Sequence, residues 1–440
     1  MSRWVERRLN LIARKKKLLA KPRVVITGIG TVLPGALTVD DFWKNISEGQ
    51  SQIDFITRFP TDDLSVKVAA ELKGFDPKIN LPPRLDPKFV DKYSYETLVL
   101  MNTLGKCLED SRLDYEGWEP ERVQLFDSSS RSSMYWWDEA YRIHYTEPEM
   151  DSRFNRHAIL TGMASNPATL SALAYNVQGF VTCISGGCVG GHHAVSLSAQ
   201  AIRNGEADIA FACGHDFPIL KPLIRTYSDP KARALSIESE NPKEAMKPYD
   251  RRRDGFSLGE GCIVICMEKL EHAQARNAKI YAEVLSYYNY NEADHPLHMD
   301  LSGRRLSEGM EKVLELGDMT AADISYFCGH GTSTHYNDLS ESRAMRQYYK
   351  IQKTTKWAPL GSLKPIYGHI FGASGIVNVA GSALMIHNQT LCPTINHKTP
   401  DPECDHDHVA EGKRPGKVNL ALSLAYAIGS QTSLVCLAKV

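Results

Sequence analysis

The chain lacks a surplus of charge of either sign: its 440 residues carry 51 Lys+Arg against 52 Asp+Glu, a formal net charge of −1. A protein built to hold nucleic acid usually shows a basic excess, so this balance argues against one. Long hydrophobic runs are also missing. A membrane span needs about 18 uninterrupted apolar residues. The best stretch, 373–386, is shorter and broken by Ser, Asn and Gly, so it is expected to be a buried helix and no transmembrane segment is expected. No apolar signal segment with a cleavage site opens the chain. Cysteine is sparse, ten residues with no C-x-x-C pair, which excludes a disulfide framework or a zinc knuckle and fits a reducing cytoplasm. What remains, 42% hydrophobic and 23% charged residues, is ordinary globular composition with enough length for a large core.

The first 23 residues carry nine Lys/Arg and one acid, Glu6, with apolar pairs Trp4/Val5, Leu11/Ile12 and Leu18/Leu19 seven residues apart. That spacing predicts a basic amphipathic arm over 1–22. A strand is expected from Arg23. Gly28 and Gly30 follow, but Leu33 stands where a dinucleotide fingerprint needs its third glycine, so a tight turn is the better reading. Residues 51–95 read as a surface excursion, 96–110 as a helix, and 127–157 as an irregular insertion lining an entrance. From 180 strands and helices alternate, and near 277 the pattern restarts. The order predicts an α/β protein of two duplicated β/α halves, 23–270 and 271–440.

Three segments carry chemistry. In Ser185-Gly-Gly-Cys188-Val-Gly-Gly a thiol sits at a strand-to-helix turn, where the helix N-terminus favours thiolate. The glycines let a substrate carbonyl approach the backbone. Residue pattern alone leaves Cys188 either nucleophile or buried structural thiol. Cys183 reads as core, and His192 and His193 read as packing or capping. Cys328-Gly-His330-Gly-Thr-Ser-Thr334 puts an imidazole on a tight loop after a strand. Thr332 and Thr334 can bond an amide-bearing arm, and Asp338 and Glu341 stand behind. Lys364-Pro-Ile-Tyr-Gly-His369 offers a cation beside a second imidazole. One thiol and two imidazoles suffice for acyl transfer coupled to decarboxylation. Cys404-Asp-His406-Asp-His408 looks metal-like, but on a strand alternate residues face opposite sides, so no metal site is expected.

Together the segments RVVITGIGTVLPG, the Cys188 turn with NGEADIAFACG, PYDRRRDGFSLGEG, GHGTSTHYNDLSES, GSLKPIYGHIFGASG and LCPTINHKTPDPECDHDHV resemble the β-ketoacyl-acyl-carrier-protein synthases of the synthase II type and their type II polyketide relatives. The resemblance runs from Arg23 to the C-terminus. It implies a thiolase-like fold, two β/α halves in a five-layered αβαβα arrangement, normally dimeric. It implies Cys188 as the acyl acceptor, His330 and His369 as the pair promoting malonyl decarboxylation, Lys364 as organiser of their electrostatics, and Glu341 in the supporting network. Thr332 and Thr334 would contact the phosphopantetheine arm, and Phe256 would lie near the pocket. The implied partners are acyl carrier protein and an identical or chain-length-factor-type second subunit, with no permanently bound cofactor. Two departures stand out. Gly187 and Val189 flank the cysteine where the family has Thr-Ala or similar before it and Ser or Thr after it. The glycine- and phenylalanine-rich gate reads LAYAIGSQ at 424–431: with one residue deleted Tyr426 and Ile428 replace its two phenylalanines, without a gap the match shifts by one and loses the first aromatic, and the loss of glycines predicts a stiffer or repositioned gate. The expected activity is decarboxylative condensation in a specialised polyketide or fatty-acyl pathway. The alternatives are a non-catalytic chain-length subunit, or an enzyme that only transfers acyl groups or decarboxylates malonyl-carrier protein. Arg251, Arg252 and Arg253, with the arm, are candidates to face an acidic carrier protein.

Overall fold

In the computed structural model, which describes residues 21–150, 157–229 and 234–440, ten strands form one mixed sheet. The strands are β1 (Val24–Val32), β2 (Val123–Ser128), β3 (Val181–Ile184), β4 (Ile209–Asp216) and β5 (Gly261–Lys269), then β6 (Ala282–Asn291), β7 (Tyr326–Cys328), β8 (Leu360–Gly361), β9 (Leu420–Ala427) and β10 (Gln431–Ala438). Their order is β8-β7-β9-β10-β6-β1-β5-β4-β2-β3. Counted outward from the centre, each half runs first, fifth, fourth, second, third. In each half the two inner pairings are antiparallel and the two outer ones parallel. The halves join where Val25 and Ile26 of β1 pair with Glu283 and Ala282 of β6. The expected basic arm, 1–22, lies almost wholly outside the described residues.

Five helices complete the layers: α1 (Tyr95–Ser111), α2 (Gly190–Arg203), α3 (Arg304–Leu316), α4 (His335–Ile351) and α5 (Ser374–Asn388). Helix α1 covers one outer face, α3 and α4 cover the other, and α2 and α5 lie in the middle against strands of both halves. The sequence explains the middle position. Helix α5 is apolar nearly all round, with every residue from Ser374 to Ile386 buried, which only a central helix can satisfy. Helices α2 and α5 approach closely because Gly191 has no Cβ; one would sit 2.8 Å from the Ile376 amide. Among the described residues no helix is long and apolar enough to cross a membrane.

Several local expectations are corrected. Gly28 and Gly30 form no turn; they lie inside β1, where α1 packs so near that a Cβ on Gly30 would strike the Thr103 carbonyl. The described part of the segment 127–157 is not irregular: it begins at the end of β2 and contains a helix, Met134–Thr146. The excursion 51–95 holds a small core of its own, with Ile53, Val66, Val68 and Ala70 packed on Leu258 and Phe371 beneath the site. Cys404 ends a short 3-10 turn rather than lying on a strand. His408 bonds the carbonyls of Leu360 and Cys404, and His406 bonds that of Ser342, so these imidazoles tie loops to the core. His192 is buried between Ser423 Oγ and the Ser433 carbonyl, the packing role expected of it.

Candidate active site

Strand β3 ends at Ile184, and a 3-10 turn, Gly187–Val189, carries Cys188 to the start of α2. Gly187 takes φ +57°, a left-handed conformation that glycine adopts without strain. In the other half, β7 ends at Cys328 and His330 follows it. Strand β8 ends at Gly361, and Lys364 and His369 precede α5. His369 is pinned by its backbone: its N–H donates to the Ser257 carbonyl at 2.8 Å and its carbonyl accepts from Gly259 N–H at 3.1 Å.

These turns converge. Cys188 Sγ and one ring nitrogen of each of His330 and His369 all lie within 4.8 Å of one another. Sγ is 3.1 Å from His369 Nε2. Behind the imidazoles, Lys364 Nζ donates to the His330 carbonyl and lies 3.4 Å from His330 Nδ1. A proton on Nζ makes Nδ1 the acceptor and leaves the ring proton on Nε2. His369 Nδ1 is 2.9 Å from Ser374 Oγ, which also accepts from the Ile370 amide. Glu341 is fully buried. It accepts from Gly331 N–H at 2.9 Å, Asn337 Nδ2 at 2.7 Å and Tyr249 Oη at 2.7 Å, so it braces the His330 loop without lining the cavity.

Burial sets the protonation states. It pushes both imidazoles well below their usual range, and the Lys364 charge adds to this, so His330 and His369 are neutral at neutral pH. Burial also lowers Lys364 and raises Glu341. For Cys188 the outcome differs from the thiolate expected at a helix N-terminus. Burial pushes the thiol up to about 12, and the opposing fields of Lys364 and Arg131 do not overcome it. Burial thus favours the thiol over the thiolate at rest.

The three groups open on a cavity of about 830 Å³. Thr332 and Thr334 line it, their hydroxyls 2.8 Å apart. Phe256 stands edge-on to His369, with ring centroids 5.2 Å apart. Tyr426 lies beside His330, and Ile428 is exposed at the mouth. The 424–431 segment is a β-hairpin paired through Ala427 and Gln431. Its tip is tied to 292–296 by Gly429 N–H on the Pro296 carbonyl and Ser430 Oγ on the His295 carbonyl. Of the three arginines expected near the entrance, none lines the cavity. Arg252 pairs with Asp250 and Glu244, Arg253 is buried against Asp401, and Arg251 is exposed. Sequence reasoning missed Arg131, Tyr227 and Phe371 in the cavity wall, and Ser374 and Tyr249 behind it. Phe371 had a signal, its place in GHIFG. Its φ of +36°, costly for an aromatic residue, is held by packing against Tyr227, Phe256 and His369.

The putative polyketide β-ketoacyl synthase 1 of Streptomyces cyaneus is 31% identical over 94% of this chain and 97% of its own length. The 3-oxoacyl-[acyl-carrier-protein] synthase 2 of Coxiella burnetii is 31% identical over 96% of this chain and all of its own. Among solved structures, a type II polyketide ketosynthase in complex with its acyl-carrier protein and bound to the hexaketide superposes with a TM-score of 0.83 at 26% identity, covering 96% of this chain and 100% of that one. The thiolase fold is thereby shared. Profiles of the β-ketoacyl synthase N-terminal and C-terminal domains match residues 21–273 and 281–398, and the chain belongs to the β-ketoacyl synthases, a family of acyltransferases that form carbon–carbon bonds.

Proposed function

We propose that this chain performs decarboxylative condensation of malonyl-acyl-carrier protein with an acyl chain held on Cys188, in a specialised type II polyketide or fatty-acyl pathway. The observation that carries the reading is the Cys188 thiol within 4.8 Å of nitrogens from two buried, neutral imidazoles, on one cavity.

The steps use only groups at these positions. His369 Nε2 takes the thiol proton as Sγ attacks the acyl thioester, then gives it to the departing phosphopantetheine thiol. Malonyl-carrier protein enters past Thr332 and Thr334. As CO₂ leaves, the enolate oxygen accepts hydrogen bonds from His330 and His369, both neutral with the proton on Nε2, the His369 ring having exchanged its proton with solvent from Nδ1 to Nε2 between the two half-reactions. For His369 this state has the Ser374 hydroxyl turned to donate to Nδ1. The enolate carbon attacks the Cys188 thioester, the C–S bond to Cys188 breaks, the new β-ketoacyl chain stays on the carrier protein, and Sγ takes up the one proton that the overall reaction consumes from solvent. Lys364 keeps the His330 ring in register, and Glu341 braces its loop. No resident cofactor is needed, because the substrate arrives on the carrier protein's own arm.

Further features support the setting. Residues 23–270 and 271–440 act as a duplicated pair, the first bringing the thiol and the second the imidazoles. Strand β3 ends the sheet half-exposed, and Phe180 and Leu173 near it are exposed, which favours a second copy or a ketosynthase-like partner against that edge. A ketosynthase/chain length factor of known structure shares this fold. The ten scattered cysteines, with no C-x-x-C pair, suit a reducing cytoplasm.

The test uses purified protein with acyl- and malonyl-carrier protein. An acyl mass gain on Cys188 and a β-ketoacyl product are expected. A mass gain without product would make the chain an acyl transferase. Neither, with Cys188→Ala behaving as wild type, would favour the non-catalytic partner reading.

A further inference from the structure

Arg131 stands in the wall of the Cys188 cavity, and the condensation leaves it without a task. It follows the end of β2, while Cys188 follows the end of the neighbouring β3, and the parallel register of Ser128 with Ile184 brings the two turns to one side of the sheet. Arg131 Nη1 donates to Ser130 Oγ at 2.9 Å, and Nη2 donates to Tyr227 Oη. The guanidinium carbon lies 4.6 Å from the centroid of the Phe371 ring and 5.5 Å from that of Tyr227. None of these partners is charged. Among the described residues no carboxylate pairs directly with Arg131. Asp216 is reached only through Ser130 Oγ, and Ser129 Oγ and the amides of Ser130 and Gly372 already hold it.

A half-buried cation with no direct carboxylate pair, its nearest acid one hydroxyl away, retains capacity for an anionic partner during function. Its neighbours here orient it and leave its charge intact. Its field favours the Cys188 thiolate and opposes protonation of His369, in each case after larger influences, so it acts at the reacting atoms. The surrounding wall, Tyr227, Phe256 and Phe371, is aromatic. An apolar wall with one oriented guanidinium suits a chain with an apolar body and an anionic oxygen end.

We propose that Arg131 is a specificity-determining residue: the group accepted by Cys188 is an ω-carboxyacyl chain whose terminal carboxylate pairs with the guanidinium. The inference rests on Cys188 as acyl acceptor. In the acylation the thioester C–S bond to pantetheine breaks, a C–S bond to Cys188 forms, and the thiol proton passes to the leaving pantetheine sulfur. The carboxylate takes no part in bond making.

The experiment compares two donors matched at six carbons, hexanoyl-pantetheine and 5-carboxypentanoyl-pantetheine, with the full-length chain. The readout is the rate of mass gain at Cys188. The wild type is expected to take the carboxylated donor faster by about tenfold or more, the scale of a charge-assisted pair in a pocket. Arg131→Leu should invert that preference and Arg131→Lys should keep part of it. Tyr227→Phe, which removes only the hydroxyl contact, should reduce it, and it serves as the test should Arg131→Leu not fold. Three results overturn the proposal: faster uptake of the hexanoyl donor by wild type, an equal slowing of both donors in Arg131→Leu, or an unchanged ratio with slower CO₂ release from malonyl-pantetheine alone. In the last case the carboxylate served is the extender's. Absence of any adduct with either donor overturns the assignment of Cys188 itself, a distinct failure.

Discussion

The two halves of the sheet share one topology and place different chemistry at corresponding strand ends. In the first half Ser128 of β2 pairs with Ile184 of β3, and the chain beyond them carries Arg131 and Cys188. In the second half Cys328 of β7 pairs with Gly361 of β8, and the chain beyond them carries His330, Lys364 and His369. The edges differ too. Strand β3 is half-exposed along its length. Strand β8 is buried, its Leu360 amide donating to the Asp407 carbonyl at 2.9 Å and its Leu360 carbonyl accepting from His408 Nδ1 at 2.7 Å. The half that supplies hydrogen-bond donors is thus closed and fixed, as donors aimed at a developing charge must be. The half proposed to carry the acyl group is open at its edge.

The largest expected effects divide the labour between the halves. Cys188→Ala should abolish the acyl adduct and lower condensation by at least about 10³-fold. His330→Ala should keep the adduct and slow CO₂ release from malonyl-carrier protein by about 10²-fold. Equal loss of the adduct in both variants, read by intact mass, would break the division. A second contrast is in stability. Gly30→Ala in the first half sets a Cβ against the Thr103 backbone and should cost roughly 3 kcal/mol. Gly309→Ala in the second half meets only the end of the Tyr290 side chain, and gains up to about 1 kcal/mol of helix propensity, so its net cost should be small. Urea midpoints at unchanged slope would show the difference.

A third contrast lies in protonation. Because burial holds the Cys188 thiol up to about 12, the thiolate fraction at neutral pH is small and grows about tenfold per pH unit. Alkylation of Cys188 by iodoacetamide should therefore climb steadily from about pH 7 to about pH 10. A plateau below about pH 8 would mean that the helix field and the two cations outweigh burial. The buried imidazoles stay neutral over this interval, so decarboxylation should not change through them; a fall on its alkaline side would report loss of the Lys364 proton, which burial eases. The smallest effect belongs to Ser374→Ala, which removes the hydroxyl partner of His369 Nδ1. It should slow decarboxylation by about fivefold, one ordinary hydrogen bond, with Ser374→Thr restoring most of the loss.

How far the site could be read from sequence follows from how local each signal is. Cys188, His330, Lys364 and His369 each sit where a strand gives way to a glycine-marked turn, a pattern complete within about ten residues of chain. Helix α5 was legible because it is apolar on every face. Arg131 was not: it lies in a serine-rich stretch with no periodicity, 57 positions before Cys188, and joins the site only through the β2–β3 register. Tyr249 was hidden for the same reason; it meets Glu341 only in the fold. The glycines of β1 misled, since a glycine that admits a packed helix and one that makes a turn look alike in one sequence.

The order of residues along the chain was enough to show the thiol, imidazoles and lysine, the turns that expose them, and the family to which their order belongs. The tertiary structure decided what those groups are at neutral pH and what surrounds them. Thiol acidity, imidazole neutrality and the charge of the acyl wall depend on burial and on fields from residues far apart in the chain. Such terms arise only when ten strands find their partners, and no local pattern encodes them.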